Sequence, residues 1–236
     1  MDLAKDCLDV ALFTDRREVP TFWRDEAGLV LDEILPVRRG HDQYRFDLNG
    51  SVLKVNVIER GLPGTGASTI TAVVVADAER AGTTSTDPDG TSIRFVAPDG
   101  ADGVGQIGIR YAVADLSLAT EYYWSTLGWD PAGTAGARCG RTMLWFEERP
   151  DVVPTPALPV RGWGYITVQI RDCDAEHARV LARGGVDGAP PITLGEVARF
   201  AMVRDPDGNW LELSQRASLT GPLPGVTRTP PISPRS

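Results

Sequence analysis

Leu8–Thr14 (LDVALFT) is a short apolar run of strand type that ends at Asp15, and a helix-like stretch holding Phe22-Trp23 follows and closes at Gly28. Ile107–Ala114 (IGIRYAVA) repeats the plan: it ends at Asp115, and a helix runs through Tyr122-Tyr123 to Leu127-Gly128. In both, seven residues separate the Asp from the first aromatic and six separate that aromatic from the Gly; the two units lie 100 residues apart. The pattern predicts an Asp that caps a helix, an aromatic pair on its buried face and a Gly that ends it. Shared spacing of all three features points to internal duplication.

A second pair of units follows. Ser68–Ala76 (STITAVVVA) predicts a β-branched strand leading to Asp77 and a short helical piece. Gly164–Ile170 (GYITVQI) leads to Asp172 and a helix over Ala175–Arg183, stopped by Gly184-Gly185. Each unit then reaches an Asp-Pro-Asp-Gly turn, at Asp87–Gly90 and Asp205–Gly208. Short strands follow, Ser92–Val96 and Trp210–Leu213. The first unit adds Val30–Val37, His41–Leu48 and Ser51–Ile58, with Asn49-Gly50 as a tight hairpin turn. The third adds Arg141–Glu147 behind Arg138-Cys139-Gly140. Strict alternation sets His41, Gln43, Arg45 and Asp47 against Tyr44, Phe46 and Leu48, and sets Lys54 and Asn56 against Leu53, Val55 and Val57. The sequence thus reads as four βαβββ-like units. Expected linkers are 61–66, 97–105 and 150–159, with a Pro-rich tail over 217–236 expected to pack little.

Composition narrows the function. The 236 residues carry 24 Lys+Arg against 32 Asp+Glu, a formal charge of −8, which disfavours nucleic-acid partners. Two histidines exclude any site built from several imidazoles. The cysteines Cys7, Cys139 and Cys173 are odd in number, far apart and without a CxxC, so free thiols in a reducing compartment are expected rather than a disulfide frame or structural zinc. Residues 1–15 lack the apolar core of a signal peptide, and the longest apolar stretch, Ala72–Ala76, is far too short to span a membrane. A cytoplasmic protein without membrane partners is expected.

Four tandem βαβββ units resemble the vicinal oxygen chelate superfamily, which includes glyoxalase I, extradiol dioxygenases, methylmalonyl-CoA epimerase and the fosfomycin- and bleomycin-resistance proteins. The carrying residues are Asp15 with Phe22-Trp23 and Gly28, Asp115 with Tyr122-Tyr123 and Gly128, and the string Asp205–Leu213 (DPDGNWLEL). The resemblance implies an α+β fold in which curled mixed sheets surround a cavity, with two glyoxalase-like domains over 5–98 and 106–216. It also implies a divalent metal held by first-strand His or Gln and last-strand Glu. The first-strand positions fall on Leu8 (a one-residue slip gives Asp9), Ile70, Gly108 and Tyr165. The last-strand positions fall on Lys54, Arg94, a residue near Leu144, and Glu212. Lys54 and Arg94 have the wrong charge for ligands, so no metal and no other cofactor is expected. The pairing of the units stays open: one with two and three with four leaves at most one plausible ligand per half. One with four gathers Leu8, Lys54, Tyr165 and Glu212, with Lys54–Glu212 as a candidate ion pair.

The implied function is a metal-independent enzyme acting on a small carbonyl or enol compound by an isomerase-, lyase- or cyclase-type proton transfer. Glu212 is the candidate base and Tyr165 the candidate donor to a developing oxyanion. Arg110, Gln169, Arg45, Lys54 and Trp210 are candidate substrate-binding residues. The alternatives are a non-catalytic binding protein of the bleomycin-resistance type, for which the acidic charge suits a cationic ligand, and a metal-dependent lyase or dioxygenase using Asp9, His41 and Glu212. A small-molecule partner is expected, as monomer or homodimer. His177 is expected on a solvated helix face. Trp145, Trp163 and Trp210 are read as core or as an aromatic wall.

Overall fold

The computed structural model describes residues 1–62, 69–100, 103–153 and 158–225. Unit one runs β1 (Asp9–Thr14), α1 (Glu18–Asp25), β2 (Leu31–Arg38), β3 (His41–Leu48) and β4 (Ser51–Ile58). Unit two has β5 (Ile70–Ala76), β6 (Thr84–Thr86) and β7 (Ser92–Val96). Unit three has β8 (Ile107–Val113), α2 (Leu116–Glu121) continuing into a wide π-type turn at Tyr122–Thr126, β9 (Asp130–Pro131), β10 (Gly136–Cys139) and β11 (Thr142–Glu148). Unit four has β12 (Gly162–Gln169), α3 (Cys173–Ala182), β13 (Val186–Leu194), β14 (Ala198–Arg204) and β15 (Trp210–Arg216), followed by a last turn, α4 (Ala217–Thr220). Ser68, part of each expected linker and residues 226–236 of the expected tail lie outside the described residues.

Two mixed sheets carry the fold. The eight-stranded one has the order β13-β14-β15-β12-β1-β4-β3-β2, and the seven-stranded one β6-β7-β5-β8-β11-β10-β9. Sheet one therefore joins units one and four through the antiparallel pair β1·β12, and sheet two joins units two and three through β5·β8. Each sheet draws one unit from either side of the expected 5–98/106–216 division. Other contacts do respect that division. The aromatic pair of each helical segment reaches the DPDG turn of the next unit: Trp23 Nε1 donates to Asp87 Oδ2 at 3.2 Å, and the Tyr123 hydroxyl donates to Asp205 Oδ2 at 3.0 Å. Asp89 and Asp207 of the same turns accept from Thr14 Oγ1 (2.5 Å) and Ala114 N–H (3.0 Å). The repeat seen in the sequence is thus a repeat of docking contacts. Burial raises both Asp87 and Asp205 above the usual carboxylate range, Asp205 to about 6.

Helix capping departs from the expectation in part. Asp115 and Asp172 cap α2 and α3, accepting from Leu118 N–H and Ala175 N–H. Asp15 does not cap α1, whose N-cap is Arg17 with no side-chain bond. Its carboxylate is held instead by Arg161 Nη2, at 2.6 and 2.7 Å. The helical piece expected after Asp77 is a set of turns, and β6, β9, β10, β13 and β14 are additional strands. His177 is buried, not solvated: Nε2 lies 3.0 Å from Asp187 Oδ1 on β13, which packs over α3.

The core lies on the helix-facing side of both sheets. Trp23, Tyr111, Tyr123, Phe46 and Phe95 are fully buried there, with Val10 and Leu12 of β1 and Ile166 and Val168 of β12. Leu8 belongs to this core too, which turns Asp9, Ala11 and Phe13 to the other face.

Candidate active site

The other face of the eight-stranded sheet is a cavity of about 200 Å³. Register decides what points into it. Ala11 pairs with Tyr165 on one side and Lys54 on the other, and Asp9 pairs with Thr167. Thr167 pairs with Glu212, and Gln169 with Ser214. Arg45 and Gln43 lie opposite Lys54 and Asn56. Alternation then sends Tyr165, Gln169, Lys54, Asn56, Gln43, Arg45, Glu212 and Ser214 to the cavity lining. The walls toward the opening are apolar: Phe13, Leu35, Val37, Leu158, Leu194, Val197, Phe200 and Met202. An adjoining pocket of about 350 Å³ shares Phe13, Val37, His41, Leu158, Leu194 and Phe200 with it.

On the polar floor, Lys54 Nζ donates to Thr167 Oγ1 at 2.7 Å and lies 3.1 Å from Glu212 Oε2. The Thr167 hydroxyl reaches the same oxygen at 3.3 Å, closing a three-membered cluster. The Lys54 side chain is 3 % exposed and that of Glu212 is 12 %. Burial lowers the Lys54 ammonium below the usual lysine range against the pull of Glu212, and Arg45 pushes the same way as burial. The Lys54 ammonium also sits 5.5 Å from the centre of the Tyr165 ring. Burial, with Glu212 nearby, raises the Tyr165 phenol well above its ordinary value, so it stays a donor at neutral pH.

Around this cluster the polar side chains hold one another. Gln43 Nε2 and His41 Nε2 both meet Asn56 Oδ1 at 2.9 Å, and Gln43 Nε2 lies 3.5 Å from the Tyr165 hydroxyl. Arg45 Nη1 donates to Gln43 Oε1 at 2.7 Å. Glu33 on β2 holds two guanidiniums, Arg45 at 3.4 Å and Arg216 at 2.5 Å. Gln169 Nε2 donates to Asp9 Oδ2 at 2.9 Å, while its buried Oε1 meets no hydrogen-bond partner among the described residues.

The structure thus brings together five of the seven expected site residues: Glu212, Tyr165, Lys54, Arg45 and Gln169. Arg110 and Trp210 do not line the cavity. Arg110 lies on β8, in the other sheet, with its guanidinium 4.6 Å from the Trp145 ring. Trp210 packs with Leu158 and Met202 around Ala11, Phe13 and Tyr165, its ring 4.7 Å from the Arg204 guanidinium. Trp163 is core. Arg216 and the β14 wall, Ala198, Phe200 and Met202, are missing from the sequence reading. Alternation in ARFAMVR was the available signal.

The superfamily's divalent metal does not fit these residues. Where its ligands would converge in sheet one, the floor presents a buried ammonium within bonding distance of the single well-placed carboxylate. A dication there would meet an uncompensated like charge. Asp9 is engaged by Lys5 Nζ at 2.7 Å and by Gln169, and His41 by Asn56. Among the described residues, no group of three or more His, Cys, Asp or Glu converges to hold a metal.

Paired βαβββ units whose sheets curl around a cavity define the double glyoxalase-like class of fold. Residues 103–213 match the family model described as Glyoxalase/Bleomycin resistance protein/Dioxygenase superfamily. Across both halves it is similar in fold to glyoxalase I from Zea mays, with a TM-score of 0.66 at 12% identity, covering 89% of this chain and 92% of that one. The V278E mutant of the maize protein aligns likewise, with a TM-score of 0.65 at 13% identity, covering 89% and 92%. None of the curated proteins compared matches the chain in sequence.

Proposed function

We propose that the chain is a small-molecule enzyme of this superfamily that works without a divalent metal, moving a proton on a carbonyl or enol compound in an isomerase-, lyase- or cyclase-type step. The observation that carries this reading is the Lys54–Thr167–Glu212 cluster at the bottom of an apolar-walled cavity. Glu212 takes and returns the proton next to the carbonyl. Tyr165, kept protonated by burial, donates to the oxygen as charge develops on it. Arg45 and Gln169 bind polar substituents, and the apolar walls take the rest of the substrate. Lys54, Arg45 and Arg216 make the cavity itself a poor place for a cationic ligand, despite the acidic charge of the whole chain. That favours an enzyme over a sequestering protein for cationic drugs. No helix among the described residues is long and apolar enough to cross a membrane, and three unpaired thiols suit a reducing compartment.

The test is a panel of ketones and 1,3-dicarbonyl compounds in D2O, followed by NMR for exchange at the carbon next to the carbonyl. Glu212→Gln is expected to lower the exchange rate by about 10²-fold or more while binding stays within a few fold. Binding without exchange in the wild type, or unchanged exchange in the variant, refutes the assignment.

A further inference from the structure

Of the cations in this chain, only Lys5 and Lys54 are lysines; every other is arginine. Arginine makes most of the other ion pairs among the described residues, as in Arg161–Asp15, Arg199–Asp174, Arg216–Glu33 and Arg80–Asp77, with Lys5–Asp9 the other lysine pair. On the cavity floor the cation is again a lysine. At Lys54, which lines the cavity, the cation is a primary amine, and its Nζ lies between a hydroxyl and a carboxylate. A guanidinium would serve equally well as a fixed charge and would make a better two-pronged partner for Glu212. What an amine adds is the ability to give up its proton and act as a nucleophile.

We propose that Lys54 forms a covalent imine with the carbonyl carbon of the substrate, so that a protonated imine does the electron-withdrawing work that a metal does for the superfamily's metal-dependent members. The inference rests on the proposed function for the cavity and the proton carrier, and adds that the substrate is an aldehyde or ketone with an apolar substituent. In the first step an ammonium proton moves from Lys54 Nζ to Glu212, 3.1 Å away. The amine lone pair then forms the N–C bond while the C–O π pair moves to oxygen. That oxygen takes a proton from nitrogen, with the Thr167 hydroxyl, 2.7 Å from Nζ, placed to relay it. Glu212 returns its proton to the departing hydroxyl, water leaves, and the nitrogen lone pair closes the C=N⁺ bond. The Glu212 carboxylate next removes a proton from the adjacent carbon to give the enamine. Return of that proton and attack of water on the imine release product and restore the amine. Nothing is oxidised or reduced, and the net charge of the pair is the same at every stage.

Three features of the site support this chemistry. Arg45 lies directly opposite Lys54 across β3·β4, and a neighbouring cation favours the neutral amine against the pull of Glu212. Burial acts in the same direction. Glu212 and Thr167 both lie within hydrogen-bonding reach of Nζ, so proton donor and relay are already in place.

The experiment uses the full chain, benzaldehyde as probe and sodium cyanoborohydride to reduce any imine, with peptide mapping to locate the benzyl group. Lys5, ion-paired to Asp9, is the internal reference. Lys54 is expected to be alkylated about tenfold or more faster than Lys5. Lys54→Arg is expected to abolish labelling at that position and exchange of ketone protons in D2O; the wild-type comparison of two lysines holds even if that variant folds poorly. Labelling of Lys54 no faster than Lys5 overturns the proposal. If exchange proceeds with Lys54 unlabelled, the imine falls and the enzyme reading stands. If Lys54 labels rapidly but no carbonyl compound exchanges, the nucleophilic lysine stands and the proposed turnover falls.

Discussion

The Lys54–Glu212 pair makes an asymmetric stability prediction. At 3.1 Å and an effective dielectric of about 20, the two charges attract by about 5 kcal/mol. Removing both from water costs several kcal/mol per ion and offsets most of that gain. Lys54→Met strips the cation and leaves a largely buried carboxylate with the Thr167 hydroxyl, so a loss of about 3–5 kcal/mol is expected. Glu212→Gln leaves an ammonium that can shed its proton, as burial already inclines it to do. Its cost is therefore smaller, about 1–3 kcal/mol. The sign of its pH dependence follows. With the amine neutral in the fold and protonated in the unfolded chain, the unfolded state binds more protons, so stability of this variant rises with pH toward the ordinary lysine range. The double variant removes both charges of the pair and should sit closer to wild type than Lys54→Met does, giving a coupling of about 2–4 kcal/mol. Urea unfolding followed by circular dichroism measures all four corners of the cycle. Additivity within about 0.5 kcal/mol, or a Glu212→Gln loss larger than that of Lys54→Met, would refute the reasoning.

Two further outcomes follow from the packing. Asp205 is raised by burial from 3.8 to about 6, facing Asn209, Tyr123 and Asp207, so its stabilising contribution is fully present below about pH 4 and lost as pH rises through about 6, some 3 kcal/mol at about 1.4 kcal/mol per unit. The stability difference between wild type and Asp205→Asn should fall by that order over this window and then level off; a difference flat with pH contradicts it. In sheet two, a Cβ on Gly108 would lie 2.3 Å from the Trp145 ring, so Gly108→Ala should cost about 1–3 kcal/mol and shift the tryptophan fluorescence, whereas an unchanged melting temperature and spectrum would show that the ring is free to move.

Much of this architecture is legible in the chain because duplication repeats a physical contact. The equal spacing of Asp15/Phe22/Gly28 and Asp115/Tyr122/Gly128 reflects two helical segments docking a second aromatic, Trp23 or Tyr123, onto a DPDG turn. The same spacing hides a difference: Asp115 caps its helix, while Asp15 is taken by Arg161, some 146 residues away, and no local rule reveals such a partner. Strands with two buried faces, such as β1, and strict alternators, such as β3, are read directly; β13, with two prolines at a sheet edge, and the short β6 are not. Leu8 in place of Asp9 as the inward residue is a slip of one, which in a strand reverses the face. Arg110 and Trp210 fail to line the cavity for different reasons. The first belongs to the other sheet, and the second shares the face of Glu212 but lies at the start of β15, beyond the residues that line the cavity.

Pairing across the chain is what makes the cavity of the eight-stranded sheet. Units one and four place Lys54 against Thr167 and Glu212, residues more than a hundred positions apart, so the cluster exists only because β1 meets β12. Units two and three have the same strand logic, with Arg94 where unit one has Lys54. There, however, the first strand of unit three offers Gly108, and Trp145 lies on it, packed with Val74, Ala76, Val96 and Val104. A glycine where unit four has Tyr165 lets an indole lie directly over the strand. The duplicated fold thus supplies the position twice, and the choice of Tyr165 or Gly108 there determines whether a phenol lines the cavity or an indole covers the strand.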